Sequence, residues 1–120
     1  MEILTAAKQL QVTPDQLRKW EREGLMPPVA RRADGLRNYS AQDLAWVQHV
    51  KRLGSSEAGA AFLREYVHLV QLGPQATPAR QSFVAETKQQ WQAHCQTLLR
   101  EFDTMEAMVV KQQGGKSDEH

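Results

Sequence analysis

The stretch from Val12 to Pro28 constrains the fold most, because it carries a complete set of local signals for one short helix. Thr13 is suited to the N-cap, Pro14 to the first helical position, and Gln16 to the return bond of a capping box. Gly24 then marks the end of the helix. The sequence therefore predicts a short helix from Pro14 to about residue 23.

A shorter helix is predicted immediately upstream, between Leu4 and Leu10. Leu4, Ala7 and Leu10 recur at intervals of three residues and are expected to share one face. Only Gln11 and Val12 separate this helix from the next N-cap. Two short helices joined by a tight turn predict a helix-turn-helix, in which the second helix enters the major groove of DNA.

The chain between Pro28 and Tyr39 changes from helical to extended character. Asp34 and Gly35 lie between two short extended runs, a pattern typical of a β-hairpin. The segment also carries three arginines suited to phosphate oxygens or to the minor groove: Arg31, Arg32 and Arg37. A solvated basic loop is the alternative. Because the segment directly follows the helix-turn-helix, we favour a wing.

Two amphipathic helices are predicted after the wing. Ser40 and Asp43 form a second capping box, which opens a helix with apolar positions at Leu44, Val47, Val50 and Leu53. Another helix, rich in apolar residues from 62 to 70, ends at Gly73. Its aromatic residues, Phe62 and Tyr66, are expected in the domain core.

One long helix is predicted from Pro78 to about Gln113. Its apolar residues alternate in steps of three and four, which is typical of a coiled-coil seam. Lys88 is the one polar member of this seam, which consists of Val84, Lys88, Trp91, Cys95, Leu98, Phe102, Met105 and Val109. A stripe this narrow on a helix of roughly 54 Å requires a partner helix, and a second copy of the chain is the simplest partner.

Three motifs, in this order, resemble the MerR family of bacterial transcription regulators. The family string L-R-Y-Y-E-x-x-G-L-x-x-P is matched by Leu17 to Pro28, G-Y-R-x-Y by Gly35 to Tyr39, and D-L-x-x-L by Asp43 to Val47. Lys19 and Trp20 replace the tyrosine pair, and Leu36 replaces the wing tyrosine. Both departures fall where family members usually touch the DNA backbone. The resemblance covers roughly residues 3 to 66.

The resemblance implies an all-α fold with a small β-hairpin wing. A winged helix-turn-helix DNA-binding domain is expected over residues 1–73, a linker over 74–77, a coiled-coil dimerisation helix over 78–113 and a disordered tail over 114–120. Antiparallel pairing of two long helices is implied by the resemblance alone. It would hold two winged helices against one palindromic operator on double-stranded DNA. RNA polymerase is a further implied partner, and activation and repression are equally open.

The candidate DNA contacts divide by chemistry. Side chains near the start of the second helix are suited to base edges: Asp15, Gln16 and Lys19, of which Gln16 can make bidentate contact with adenine. Six others are better suited to phosphates: Arg18, Trp20, Arg31, Arg32, Arg37 and Tyr39. Leu17, Leu25 and Leu44 are expected in the core.

Composition narrows the class of protein. Residues 1–56 hold nine Lys/Arg and six Asp/Glu, whereas residues 57–120 hold six and eight, which favours phosphate contact by the first half. No apolar run long enough to span a membrane and no signal peptide pattern occurs, so a cytoplasmic chain without membrane contact is predicted. No phosphate loop, nucleophile with a base or metal cluster is evident, so we predict neither catalysis nor a cofactor.

Cys95 is the only cysteine. Metal-sensing members of the family place thiols at the start of the dimer helix and beyond its end, where this chain has residues 77–79 and 114–117 without cysteine. We therefore expect no metal site and a buried seam thiol, with an inter-subunit disulfide or redox sensing as alternatives. A regulator without a small-molecule effector is favoured over one with a ligand near Phe62, Tyr66, Trp91 and Phe102.

The alternative function is a protein-interaction adaptor of the same fold that does not bind DNA sequence-specifically. Trp20 in place of a tyrosine slightly favours the adaptor. The arginines of the wing argue against it, because an adaptor has no need for them.

Overall fold

A computed structural model describes residues 1–118 of the chain. Its helices are α1 (Ile3–Leu10), α2 (Pro14–Arg22), α3 (Ala41–Leu53), α4 (Glu57–Gln71) and α5 (Thr77–Asp118), with a single 3₁₀ turn at Pro74–Ala76. The chain divides into two compact units, one from Met1 to Phe83 and one that begins at Val84. The mostly helical architecture with a long last helix agrees with the prediction.

The two short helices and the tight turn between them are present. Gln11 ends α1 in the left-handed conformation, with φ of 59°, and the next amide, of Val12, donates to the carbonyl of Ala7 at 3.0 Å. The capping box at Thr13 and Gln16 opens α2 as predicted. Gly24, with φ of +75°, ends α2 because this conformation carries almost no steric penalty in glycine.

One predicted face of α1 is wrong. Leu4 is 69% exposed, whereas Ala6, Ala7 and Leu10 are buried and Ile3 packs against them. Positions 3, 6, 7 and 10 follow the spacing of one helical stripe, and Leu4 lies outside it. The sequence alone did not distinguish the predicted stripe through Leu4 from the observed stripe through Ile3, because both contain Ala7 and Leu10.

The β-hairpin expected after α2 is not confirmed. Within residues 1–118 no β-strand occurs, and Arg31 and Arg37 form an isolated antiparallel bridge. The amide of Arg32 donates to the carbonyl of Leu36 at 2.7 Å, and the chain reverses through Gly35 at φ of +85°. An isolated pair of short extended segments has no neighbouring strand to extend it, which limits the regular pairing.

The hydrophobic core of the first unit is formed by residues of α1 to α4 and of the segment between α2 and α3. Its largest fully buried side chains are Leu17, Met26, Leu63, Val47 and Val50. Leu25 is buried as predicted, and Leu44 is partly buried against the same cluster. Lys51 of α3 donates to the carbonyl of Leu10 at 2.8 Å, and Arg64 of α4 donates to that of Glu23 at 3.3 Å. These bonds satisfy helix ends and tie α3 and α4 to the first two helices.

The first unit extends beyond residue 73, the predicted end of the domain. Phe62 stacks on Tyr66 at 5.4 Å between ring centroids and on Phe83 of α5 at 5.3 Å. Phe62 also packs against the core as expected, whereas Tyr66 is half-buried and contacts the rings of Trp46 and Phe62. The first turns of α5 therefore belong with α4 in one cluster, a tertiary contact that helical periodicity does not reveal.

The long helix α5 is longer than predicted at both ends. It begins at Thr77 and is continuous through Asp118, so residues 114–118 of the predicted tail are helical. Extending an existing helix adds one hydrogen bond per residue without a new nucleation cost, which favours continuation. Residues 119–120 of that tail lie outside the described residues.

Candidate nucleic-acid interface

The first turns of α2 present the side chains expected to read bases. Asp15, Gln16 and Lys19 are all exposed. The amide oxygen of Gln16 accepts a hydrogen bond from the backbone N–H of Thr13 at 2.9 Å. Bidentate contact with adenine uses both the oxygen and the NH₂ group of the side chain. The capping bond uses one of the two lone pairs of the oxygen, so the oxygen keeps an acceptor position beside the donors of the NH₂ group.

A surface ion pair lies beside these residues. Arg18 donates to Asp15 at 2.8 Å between Nη1 and Oδ1, and the Asp15 side chain is almost fully exposed. Exposed pairs of this kind contribute little to stability, because solvent screens them. Arg18 is therefore available to exchange Asp15 for a phosphate at small energetic cost.

The three wing arginines have different surroundings. Arg32 is held between Glu2, at 2.9 Å, and Asp34. These hydrogen bonds raise the pKa of Arg32, and the guanidinium in turn lowers the pKa of the Asp34 carboxyl. Arg31 donates to the carbonyl of Gly35 at 3.1 Å and has no carboxylate partner among the side chains of residues 1–114. Arg31 is thus the wing arginine whose charge remains uncompensated.

Arg37 links the wing to α2 through an ion pair with Glu21. Its Nε donates to Oε1 of Glu21 at 2.7 Å, and only 20% of the Arg37 side chain and 14% of the Glu21 side chain are exposed. The other oxygen of Glu21 accepts the backbone N–H of Val29 at 3.3 Å. Sequence reasoning missed Glu21, since the pair is separated by sixteen residues and no local spacing connects them.

Tyr39 is the predicted phosphate contact that the structure argues against. It is 3% exposed and belongs to the core, and its buried hydroxyl has no hydrogen-bond partner among the described residues. Burial raises the pKa of this phenol above its ordinary value. A phosphate cannot reach the hydroxyl unless the core opens. Trp20 is likewise half-buried and packs against the core.

A groove lies where α1, α2 and the wing meet, with a volume of about 420 Å³. We call it the leucine groove, because Leu4 of α1 and Leu36 of the wing contribute exposed apolar side chains to it. Arg18, Arg31 and Arg37 also line it. The fold therefore brings three of the predicted phosphate-binding arginines together around two leucines that sequence reasoning did not assign to the site.

The second unit contains all eight residues of the predicted seam. Its large apolar side chains are exposed in the single chain, from Trp91 at 36% to Phe102 at 66%. Cys95, expected to be buried in the seam, is also exposed in the single chain. Leu99, Met108 and Val110 are exposed apolar residues beside the seam that the heptad reading did not include.

No group of three or more His, Cys, Asp and Glu side chains placed to hold a metal ion occurs in the part of the chain that the structure describes. None of the described helices combines the length and apolar character needed to cross a membrane.

Comparison with known proteins gives consistent matches. The family model of the MerR HTH family regulatory protein matches residues 1–58. The HTH-type transcriptional regulator AdhR of Bacillus subtilis is 35% identical over 89 residues, 74% of this chain and 64% of that protein, so the chain spans less than two thirds of this relative. A "probable heavy metal-dependent transcriptional regulator" of Haemophilus influenzae is 31% identical over 116 residues, 94% of this chain and 83% of that protein.

Solved structures agree with these matches. A MerR family transcriptional regulator from Listeria monocytogenes superposes with a TM-score of 0.72 at 25% identity, covering 91% of this chain and 83% of the other. HiNmlR, a MerR family regulator lacking the sensor domain and bound to promoter DNA, superposes with a TM-score of 0.70 at 22% identity, covering 97% and 92%. The second likeness is evidence of fold.

Proposed function

This chain belongs to the MerR family of helix-turn-helix transcriptional regulators, and on that premise we propose that it binds a palindromic operator sequence-specifically as a homodimer. One observation carries the proposal. The exposed start of α2 lies beside a groove lined by Arg18 and Arg31. A helix that reads bases and an adjacent cationic surface for phosphates are the two components that sequence-specific DNA binding requires.

The proposed docking places α2 in the major groove and the turn closed by Arg31 and Arg37 along the adjacent backbone, as a small wing. Lys19 and Gln16 are assigned to base edges. Arg18 and Arg31 are assigned to phosphates, because the first has only an exposed partner and the second has none among the described residues. Arg37 contributes chiefly by holding the wing on α2 through Glu21.

The proposed dimer pairs two α5 helices antiparallel through the predicted seam. The exposed apolar side chains of the second unit support it, because a stripe that includes Leu98, Phe102 and Met105 is costly to leave in water. Pairing would bury Cys95 in the same seam. The α5 helix has 42 residues, which corresponds to roughly 63 Å. Antiparallel pairing would hold two recognition helices apart on one duplex, as a palindrome requires.

The proposed activity is DNA binding and not catalysis. It takes place in the cytoplasm, and it regulates transcription by RNA polymerase. We do not extend heavy-metal dependence from the Haemophilus influenzae relative to this chain. Cys95 is the only thiol, and a single thiolate does not make a metal site of the kinds that regulators or enzymes use.

A gel shift on the DNA upstream of the protein's own gene tests the proposal. We expect a retarded complex that resists competition by unrelated duplex. Lys19→Ala should reduce the preference for this DNA over unrelated duplex by about tenfold, the effect of losing one base contact. Lys111→Ala removes the same charge outside the first unit and should leave the preference unchanged. Equal affinity of the wild type for both DNAs would favour the adaptor function instead.

A further inference from the structure

Two leucines of the first unit are exposed on the same surface. Leu4 on α1 is 69% exposed and Leu36 at the wing turn is 55% exposed, although they are 32 residues apart. Scattered exposed leucines are ordinary, but these two line one groove. Leu36 also stands where family members have the wing tyrosine, so this chain presents a purely apolar side chain at that point.

Three of the four charged residues that line the groove are arginines. Arg18 and Arg31 line the groove from α2 and from the wing, Arg37 is a third arginine, and Glu2 is the only acidic residue among the lining residues. Glu2 is itself paired with Arg32. Arg37 is held by Glu21, so the cations available to a ligand are Arg31 and Arg18, whose only partner is exposed. The groove therefore combines an apolar surface with two available cations, and its chemistry suits a ligand with alternating apolar and anionic groups.

We propose that the leucine groove holds the sugar–phosphate backbone of one DNA strand, with the apolar face of a deoxyribose against Leu4 and Leu36 and phosphates at Arg18 and Arg31. The inference rests on the proposed function. In a DNA strand, sugars and phosphates alternate, and deoxyribose lacks the 2′-hydroxyl that would have to be desolvated on an apolar surface. Exposed leucines and arginines thereby act together in one sequence-independent contact.

A second copy of the chain fits this surface poorly, because it would bring one set of arginines against another. A small inorganic anion uses the arginines and leaves the leucines in water. The groove is also continuous with the surface of α2 proposed to meet DNA, since Arg18 belongs to both. The backbone of the same duplex is the occupant that accounts for both kinds of side chain.

The test measures the dissociation constant of the full chain for a mixed-sequence DNA duplex across a range of salt concentrations. Leu36→Ser and Leu4→Ser should each weaken binding by about tenfold, equal to about 1.4 kcal/mol, at every salt concentration. The slope of log affinity against log salt should not change, because no phosphate contact is lost. Arg31→Ala should lower that slope by about one unit.

Matched variants separate the contact from a change in fold. Leu72→Ser removes a leucine that is 45% exposed at the end of α4, and it should bind DNA as the wild type does. Leu36→Met keeps an apolar side chain and should retain affinity. The melting temperatures of both groove variants should match that of the wild type, because both leucines are exposed.

A duplex with uracil in place of thymine distinguishes the sugar from the base. If Leu36 contacts deoxyribose, the loss caused by Leu36→Ser persists on the uracil duplex. If Leu36→Ser binds the uracil duplex as tightly as the wild type does, Leu36 contacts a thymine methyl group and the proposed sugar contact is wrong. Leu36→Ser binding equal to that of the wild type, or a changed salt slope, would also overturn it. Failure of the wild type to bind any duplex would instead refute the proposed function.

Discussion

Glu21 of α2 accepts one hydrogen bond from Nε of Arg37, at 2.7 Å, and another from the backbone N–H of Val29, at 3.3 Å. One carboxylate therefore joins the second helix of the helix-turn-helix to both ends of the wing. Because both side chains of the ion pair are largely shielded from water, solvent screens it less than the pairs at the surface. We expect this pair to hold the wing against α2.

A double-mutant cycle should show strong coupling between the two residues. Arg37→Ala leaves a shielded carboxylate without its partner and should cost about 2 kcal/mol in the free energy of unfolding. Glu21→Ala should lower the free energy of unfolding by a similar amount. The double variant should lower it by less than the sum of the two single effects. Urea denaturation measures all three. Arg22→Ala is the control, because it removes an exposed arginine of α2; equal losses for Arg22→Ala and Arg37→Ala would contradict the tie.

Leu98→Asp should break the dimer while the first unit stays folded. A charge in the middle of the seam must lose its water on association, which is unfavourable without a partner. Sedimentation at micromolar concentration gives the oligomeric state, and circular dichroism gives the helix content. Gln96→Asp places the same charge on α5 outside the seam and should remain dimeric. A dimeric Leu98→Asp protein would mean that the interface lies elsewhere.

Cys95→Ser should leave DNA binding and its response to oxidant nearly unchanged. In the proposed dimer the thiol fills space in an apolar layer, so the hydroxyl should lower dimer stability by about 1 kcal/mol. Oxidant titration followed by gel shift and non-reducing electrophoresis provides the measurement. A cross-linked wild type with altered operator affinity, absent in Cys95→Ser, would establish redox sensing instead.

Tyr39→Phe should retain DNA binding and gain stability at alkaline pH. Burial raises the pKa of Tyr39 above its ordinary value, so the folded state favours the neutral phenol. The resulting stabilisation is present below the ordinary tyrosine pKa of about 10 and is lost as pH rises through the higher folded value. The free energy of unfolding, measured below and above pH 10, should fall less at alkaline pH for Tyr39→Phe than for the wild type. A large loss of DNA affinity would restore the hydroxyl as a phosphate contact.

Gln11→Gly should stabilise the first unit by about 1 kcal/mol, because Gln11 adopts the left-handed conformation with a side chain that disfavours it. Gln9→Gly offers the matched control, since Gln9 is an exposed residue inside α1 and loses helix propensity of about 1 kcal/mol. Thermal unfolding compares the two. Destabilisation by both substitutions would show that the side chain of Gln11 makes a needed contact.

Residue order alone was enough to predict the features that depend on neighbours along the chain. The capping boxes at Thr13 and Ser40 each close within three residues, and Gly24 ends α2 through its own backbone conformation. The regular period of α5 likewise depends only on spacing. Local hydrogen bonds and helical geometry act over one or two turns, so residue order is enough to predict them.

The composition of the surface could not be predicted in this way, because it depends on how distant segments pack. The pairing of Glu21 with Arg37, the burial of Tyr39 and the meeting of Leu4 with Leu36 each join segments that are distant in sequence. Residue type does not show whether an arginine faces solvent or a carboxylate, because that depends on how the wing packs against α2. Packing of separate elements therefore determined which predicted contacts remain exposed for DNA.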